Sequence, residues 1–128
     1  MLLLFGILIF LDCFTRWIAI SHAHLVSCGR QPTFLEAVCG IREARRQRLI
    51  SSEIMKKRGT EKLILYNLCV AAGIVSDALL QEAGASTDGM AGIVVSYLAA
   101  TEALSVIENL SDAGVSSMTE LLKKLRGR

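Results

Sequence analysis

His22, His24, Cys28 and Cys39 are residue types that bind zinc, and they share one stretch of the chain. Their spacing matches no usual pattern of paired ligands, so a zinc site is not expected. Glu102 and Glu108 are the carboxylates nearest to acid/base spacing, yet no nucleophile, third group or pocket is implied beside them. There is no Gly-rich phosphate loop and no Gly-x-Ser-x-Gly turn. The residues therefore call for no cofactor, and enzyme activity is not expected. Cys13, Cys28, Cys39 and Cys69 form no Cys-x-x-Cys pair and read as reduced thiols serving as small hydrophobes.

The remaining chemistry is electrostatic. Asp12 and Arg16 interrupt an apolar run at a spacing that places them on one helix face, acid before base, the favourable orientation. Two readings stay open: a neutralised pair within the helix, or a polar group facing an oligomer interface or a lumen. Further on, Thr101, Glu102, Ser105, Glu108, Asn109 and Asp112 fall on one arc of a helix, with Leu104, Val106, Ile107 and Leu110 outside it. That arc is either a helix end emerging into water or a face turned toward a shared aqueous opening. Gly92, Ser96 and Ala100 form a small-residue ridge that allows close helix approach, between the chain's own spans or between copies.

The elements that must position these residues follow from the distribution of charge. The chain has 128 residues, 52% hydrophobic and 20% charged, and its mean hydropathy of +0.48 is high for a small soluble domain. Residues 2–20, 63–80 and 90–107 hold only Asp12, Arg16, Asp77 and Glu102 among all the charges. Each stretch is about as long as the ~20 residues that cross a bilayer core. The predicted fold is all-α: an integral membrane protein of one domain, with three transmembrane helices, a basic amphipathic cytoplasmic segment and a short C-terminal helix. Disorder is excluded, and so little polar chain remains that a two-domain enzyme is not expected.

Residues 21–62 form the basic loop, with Arg30, Arg42, Arg45, Arg46, Arg48, Lys56, Lys57, Arg58 and Lys62. Residues 81–89 carry Glu82 and Asp88 but no Lys or Arg, and the tail 108–128 ends with Lys123, Lys124, Arg126 and Arg128. Basic segments beside spans stay cytoplasmic, so the N-terminus is expected outside and the C-terminus inside. Ser21-His22-Ala23 is a poor cleavage site and no basic residue precedes the first span, so cleavage of a signal peptide is not expected.

Within the loop, residues 21–32 read as irregular. Thr33 and Glu36 form a capping box for a helix whose apolar face is Phe34, Leu35, Val38 and Ile41, lying on the inner membrane surface. Gly59 and Thr60 are expected to break the basic region. Gly84 and Gly114 read as helix stops, and Ser117 with Glu120 as the capping box of an amphipathic tail. No aromatic residues interleave the arginines, so nucleic acid is not an expected partner.

The string from Thr101 to Val115 resembles the C-terminal signature of the bacteriophage holin family that also contains toxin-secretion holins of Gram-positive bacteria. Its core of Glu102, Ser105, Val106, Glu108 and Asn109 is followed by Gly114, Val115 and a basic tail. Leu11, Asp12, Thr15 and Arg16 resemble the family's Asp-x-x-Thr element ending the first span, and Glu36, Gly40 and Ala44 offer a second place for that element. The lead into the second span, with Ser52, Glu53, Met55, Lys56 and Lys62, is similar too, and Asp77 fits near that span's end. The resemblance implies a non-enzymatic protein of the host bacterial cytoplasmic membrane. It would form homo-oligomers in the lipid bilayer and open lesions for an endolysin or a toxin, without direct binding to either. Asp12, Arg16, Gly92, Ser96, Glu102, Ser105, Glu108 and Asn109 are the expected oligomer or pore positions. The rival readings are a non-lytic membrane protein, acting as a secretion accessory or an adaptor, and a soluble helical bundle.

Overall fold

The computed structural model describes residues 2–86 and 89–127; Asp88 and Arg128 lie outside them. Five helices follow one another: α1 (Leu2–Ser27), α2 (Phe34–Arg46), α3 (Ser52–Glu82), α4 (Met90–Asp112) and α5 (Ser116–Leu125). Among the described residues there is no strand. Three of the helices, α1, α3 and α4, are long and apolar enough to cross a membrane.

These three pack side by side. Phe5 and Ile9 of α1 share a core with Tyr66 of α3 and Leu98 of α4, and the Phe5 and Tyr66 rings tilt together at 5.8 Å between centroids. Further along, Asp12 of α1 meets Asn109 of α4 and Lys62 of α3. Residue numbers therefore rise together on α1 and α4 and fall on α3. The first and third spans run parallel, and the second runs against both. Only 11% of the apolar window of α3, and the same share of α4, is buried within the chain. Leu3, Phe10, Leu68, Leu79, Ile93 and Tyr97 stand exposed. Apolar surface on this scale needs lipid or protein to cover it, which counts against a soluble bundle.

The α3–α4 turn is drawn tight by Asp77, whose carboxylate accepts from the backbone N–H of Met90 at 2.7 Å and of Ala91 at 3.0 Å. It thereby caps α4 from a neighbouring helix, since the cap residue Gly89 has no side chain to do so. Gly73 lies so close to α4 that an added Cβ would stand 2.8 Å from the Cα of Ala91. Asp77→Ala is expected to destabilise the α3–α4 hairpin by about 0.5–2 kcal/mol. This is to be read as a lower thermal midpoint in detergent, with Asp77→Asn retaining most of the stability.

Several boundaries differ from the sequence expectation. Helix α1 continues past residue 20 to Ser27, so most of the expected irregular stretch is helical; Ser21, fully buried, and Gly40 make the contact that draws α2 against it. Helix α3 starts at Ser52 and runs through Gly59 and Thr60 without a break. The Thr60 hydroxyl donates to the Lys56 carbonyl, and Gly59 faces Ile9; packing overrides the weak helix propensity of both residues. The Thr33–Glu36 capping box is formed, whereas α5 is preceded by Val115 with no side-chain cap, so the Ser117–Glu120 box is not. Gly84 and Gly114 take positive φ of 76° and 83° after α3 and α4, the left-handed stops expected there.

Helix α2 does not present its whole apolar face to a membrane surface. Ala37 is buried with Ile18 and Ala113, and Val38 and Ile41 pack on that cluster. Phe34 and Leu35 remain exposed, as do Arg42, Arg45, Arg46 and Arg48.

Candidate functional site

Charged side chains inside apolar helices are costly, about 2.5–3.5 kcal/mol each at the bilayer centre on insertion scales. This chain gathers two of them, Asp12 and Glu102, into one cluster between all three spans. Lys62 of α3 stands between two carboxylates, with its Nζ 2.9 Å from Asp12 Oδ2 and 3.0 Å from Glu102 Oε1. It also reaches Glu102 Oε2 at 3.2 Å. The Tyr66 hydroxyl, one helical turn further along α3, donates to Glu102 Oε1. Glu102 is fully buried, at 0% exposure.

A second branch ties α1 to α4. Asn109 Nδ2 donates to Asp12 Oδ1 at 3.0 Å, to the Asp12 carbonyl at 3.1 Å and to Thr15 Oγ1 at 3.2 Å. The Thr15 hydroxyl in turn donates to the carbonyl of Leu11. Glu102 and Asn109 lie seven residues apart, two turns of α4, so both project from one face toward α1 and α3. Two negative groups share one ammonium here, and neutral donors from Tyr66 and Asn109 supply the remaining hydrogen bonds. Such charge-assisted bonds strengthen where water is excluded. The cluster sits at the N-terminal end of the apolar run of α3 and within those of α1 and α4.

Three of the expected positions, Asp12, Glu102 and Asn109, thus meet at one place. The remaining five do not join them. Arg16 is exposed and forms no ion pair among the described residues, so of the two readings left open the neutralised pair with Asp12 within the helix is not formed. The reason is energetic: a helical neighbour pair is worth about 0.2–0.5 kcal/mol, less than the combined bonds Asp12 makes to Lys62 and Asn109. Ser105 is half-buried and outside the network. Glu108 pairs with Arg126 of α5 at 2.7 Å on the surface. Gly92 and Ser96 are exposed, and a Cβ added at Gly92 would meet nothing within 4 Å. The close approach within the chain is made by Gly73 against Ala91 instead, so the ridge does not pack the chain's own spans together. The polar arc is likewise divided: Glu102 and Asn109 face inward, Glu108 faces the tail helix, and Thr101 and Asp112 are exposed.

Lys62, Tyr66 and Thr15 complete the cluster and were not among the expected site residues. One signal could have pointed to Lys62. Asp12 and Glu102, buried in separate apolar helices, need a cation, and Lys62 borders the second span.

A family model described as the bacteriophage holin family matches residues 32–127. The matched residues include α2 to α5 and leave out α1, so Asp12 and Thr15 lie outside the match, together with the string likened to the Asp-x-x-Thr element. No curated protein and no solved structure matches the chain.

Proposed function

Because the chain belongs to the bacteriophage holin family, we propose that it is a holin: a non-enzymatic protein that oligomerises in the bacterial cytoplasmic membrane and opens lesions through which an endolysin or a toxin passes. The family match carries this reading. Three membrane-length helices with largely exposed apolar faces support it. The basic segments flank the inner ends of the spans, and by the charge rule they stay in the cytoplasm, which puts the N-terminus outside and the C-terminus inside.

Self-association proceeds through the outward ridge of α4. Gly92, Ser96 and Ala100 are exposed along one face, and small residues let a second helix approach closely in lipid. The charged cluster has a second role in this reading. In a single chain Asp12, Lys62, Glu102 and Asn109 satisfy one another; in an oligomer that has opened, the same groups face water.

Inducing the chain in a bacterium while recording membrane potential and culture density tests the function. Abrupt loss of both is expected. If both persist while the protein accumulates in the membrane, the holin reading fails and the non-lytic adaptor, with its exposed arginines on α2 as docking surface, takes its place. Gly92→Leu is expected to cut crosslinked oligomers in membranes several-fold while leaving the thermal midpoint of the chain unchanged. Undiminished crosslinking would remove α4 from the interface.

A further inference from the structure

Three contacts fix the height of α1 against the other long helices. Phe5 shares a core with Tyr66 of α3 and Leu98 of α4, Gly59 faces Ile9, and Asn109 bonds to Asp12. Leu2 is then level with about Cys69 of α3, and the apolar run of α3 continues to Leu80, about 16 Å further at helical rise. At its other end that run begins with Leu63, level with about Leu8. The second half of the apolar run of α1 therefore stands beside the basic start of α3, and Phe14 and Trp17 share a groove with Ser52, Met55 and Lys56.

Exposure changes at the same height. Leu3, Leu4, Ile7, Phe10 and Leu11 are exposed, whereas from Asp12 to His22 the one exposed residue is Arg16. Other helices cover this second half. Ile18 is buried with Ala37 of α2 and Ala113 at the end of α4, Phe14 and Ala19 pack on that cluster, and the His22 ring lies against Gly114. A bilayer centred on the apolar run of α1 would submerge Lys56, Lys57 and Arg58, all exposed, and the hydrocarbon core excludes such charges. A bilayer centred on α3 and α4 leaves all three in water.

We propose that α1 is inserted only halfway in this arrangement. Residues 2–11 enter the core from the side of the basic segments, about 15 Å deep in a core of ~30 Å. Residues 12–22 form a cap on that side with α2 and the end of α4. The run of α1 is nonetheless long enough to cross, and the outside start that the charge rule gives belongs to a second position. To reach it, α1 slides roughly three turns along α3 and α4. Asp12 must then release Lys62 and Asn109, and Ile18 must leave Ala37, so the charged cluster is the catch that holds α1 docked. This position of α1 follows from α3 and α4 crossing the membrane and holds whether or not the protein opens lesions.

Trp17 is the chain's single tryptophan and lies about 9 Å beyond Leu11 along the helix, outside the core when α1 is docked. In vesicles holding phospholipid brominated on its acyl chains close to the headgroup, quenching of the unmodified full chain should be weak. Lys62→Met should raise it severalfold as Trp17 enters the core. A spin label at Leu4→Cys, with the four native cysteines changed to Ala, reports the other end. Its depth, from collisions with oxygen against an aqueous nickel chelate, should be near the core centre and should shift outward by about 15 Å, half the core, in Lys62→Met. Strong quenching of Trp17 in the unmodified chain, with the Leu4 label at the outer headgroups, would mean that α1 already crosses and would overturn the proposal. Docked depths in both chains would remove the cluster as the catch. A label at Leu68→Cys of α3 should stay near the core centre throughout, and its exposure to nickel would overturn the membrane reading itself.

Discussion

Lys62→Met is expected to destabilise the three-helix bundle by about 2–3 kcal/mol, less than the ~3–5 kcal/mol of a fully buried ion pair because the Lys62 side chain is 36% exposed. The loss exceeds that of a surface pair because Lys62 serves two carboxylates at once. Without it, Asp12 and Glu102 are left facing each other across a space that only Tyr66 and Asn109 can partly fill. Like charges there repel, and lipid offers no water to screen them. The measurement is the unfolding midpoint in detergent, followed by the onset of lysis after induction, which should come earlier if separated spans are what open. A compensated variant separates loss of pairing from loss of shape. Lys62→Met combined with Asp12→Asn and Glu102→Gln removes all three charges and should recover most of the stability, since a neutral cluster needs no counter-ion. If the single and triple variants are equally unstable, Lys62 acts through its packing and the ion pairs contribute nothing.

Gly73→Val should give the second large effect, while Gly92→Val, at an equally small residue, should leave stability unchanged. A Cβ at Gly73 meets the backbone of α4, at 2.8 Å from the Ala91 Cα and 3.1 Å from its N. Backbone cannot turn aside as a flexible side chain can, so the two helices must separate. Overpacking of this kind costs about 1–3 kcal/mol, and it also pulls Asp77 away from the N–H groups it caps. A Cβ at Gly92 meets open space. Thermal midpoints of the two variants in detergent should therefore differ clearly. Equal midpoints would mean that α3 and α4 do not cross at Gly73.

The spans, their order and both glycine stops could be read from the sequence because hydropathy and left-handed backbone are local properties. Which side chains meet was not readable in this way. Lys62 looked like the last charge of a basic loop, because Gly59 and Thr60 seemed to end that region. Once α3 runs straight through them, Lys62 becomes part of the bundle. Asp12 seemed to have a partner four residues away in Arg16, since neighbour rules see only one helix at a time. The ridge on α4 illustrates the same limit. Spacing marks Gly92 and Ser96 as a surface fit for close packing, but the direction that surface faces depends on where Glu102 and Asn109 point. Gly73 gave no spacing signal at all, as it follows two alanines in a run where any small residue looks ordinary.

An ammonium group has three N–H bonds, and that of Lys62 finds three carboxylate oxygens within 3.2 Å. A hydrated ion arriving at this level would have to displace one of them before it could pass. In the proposed holin, lesion opening would then require these donors and acceptors to be shared out among neighbouring copies.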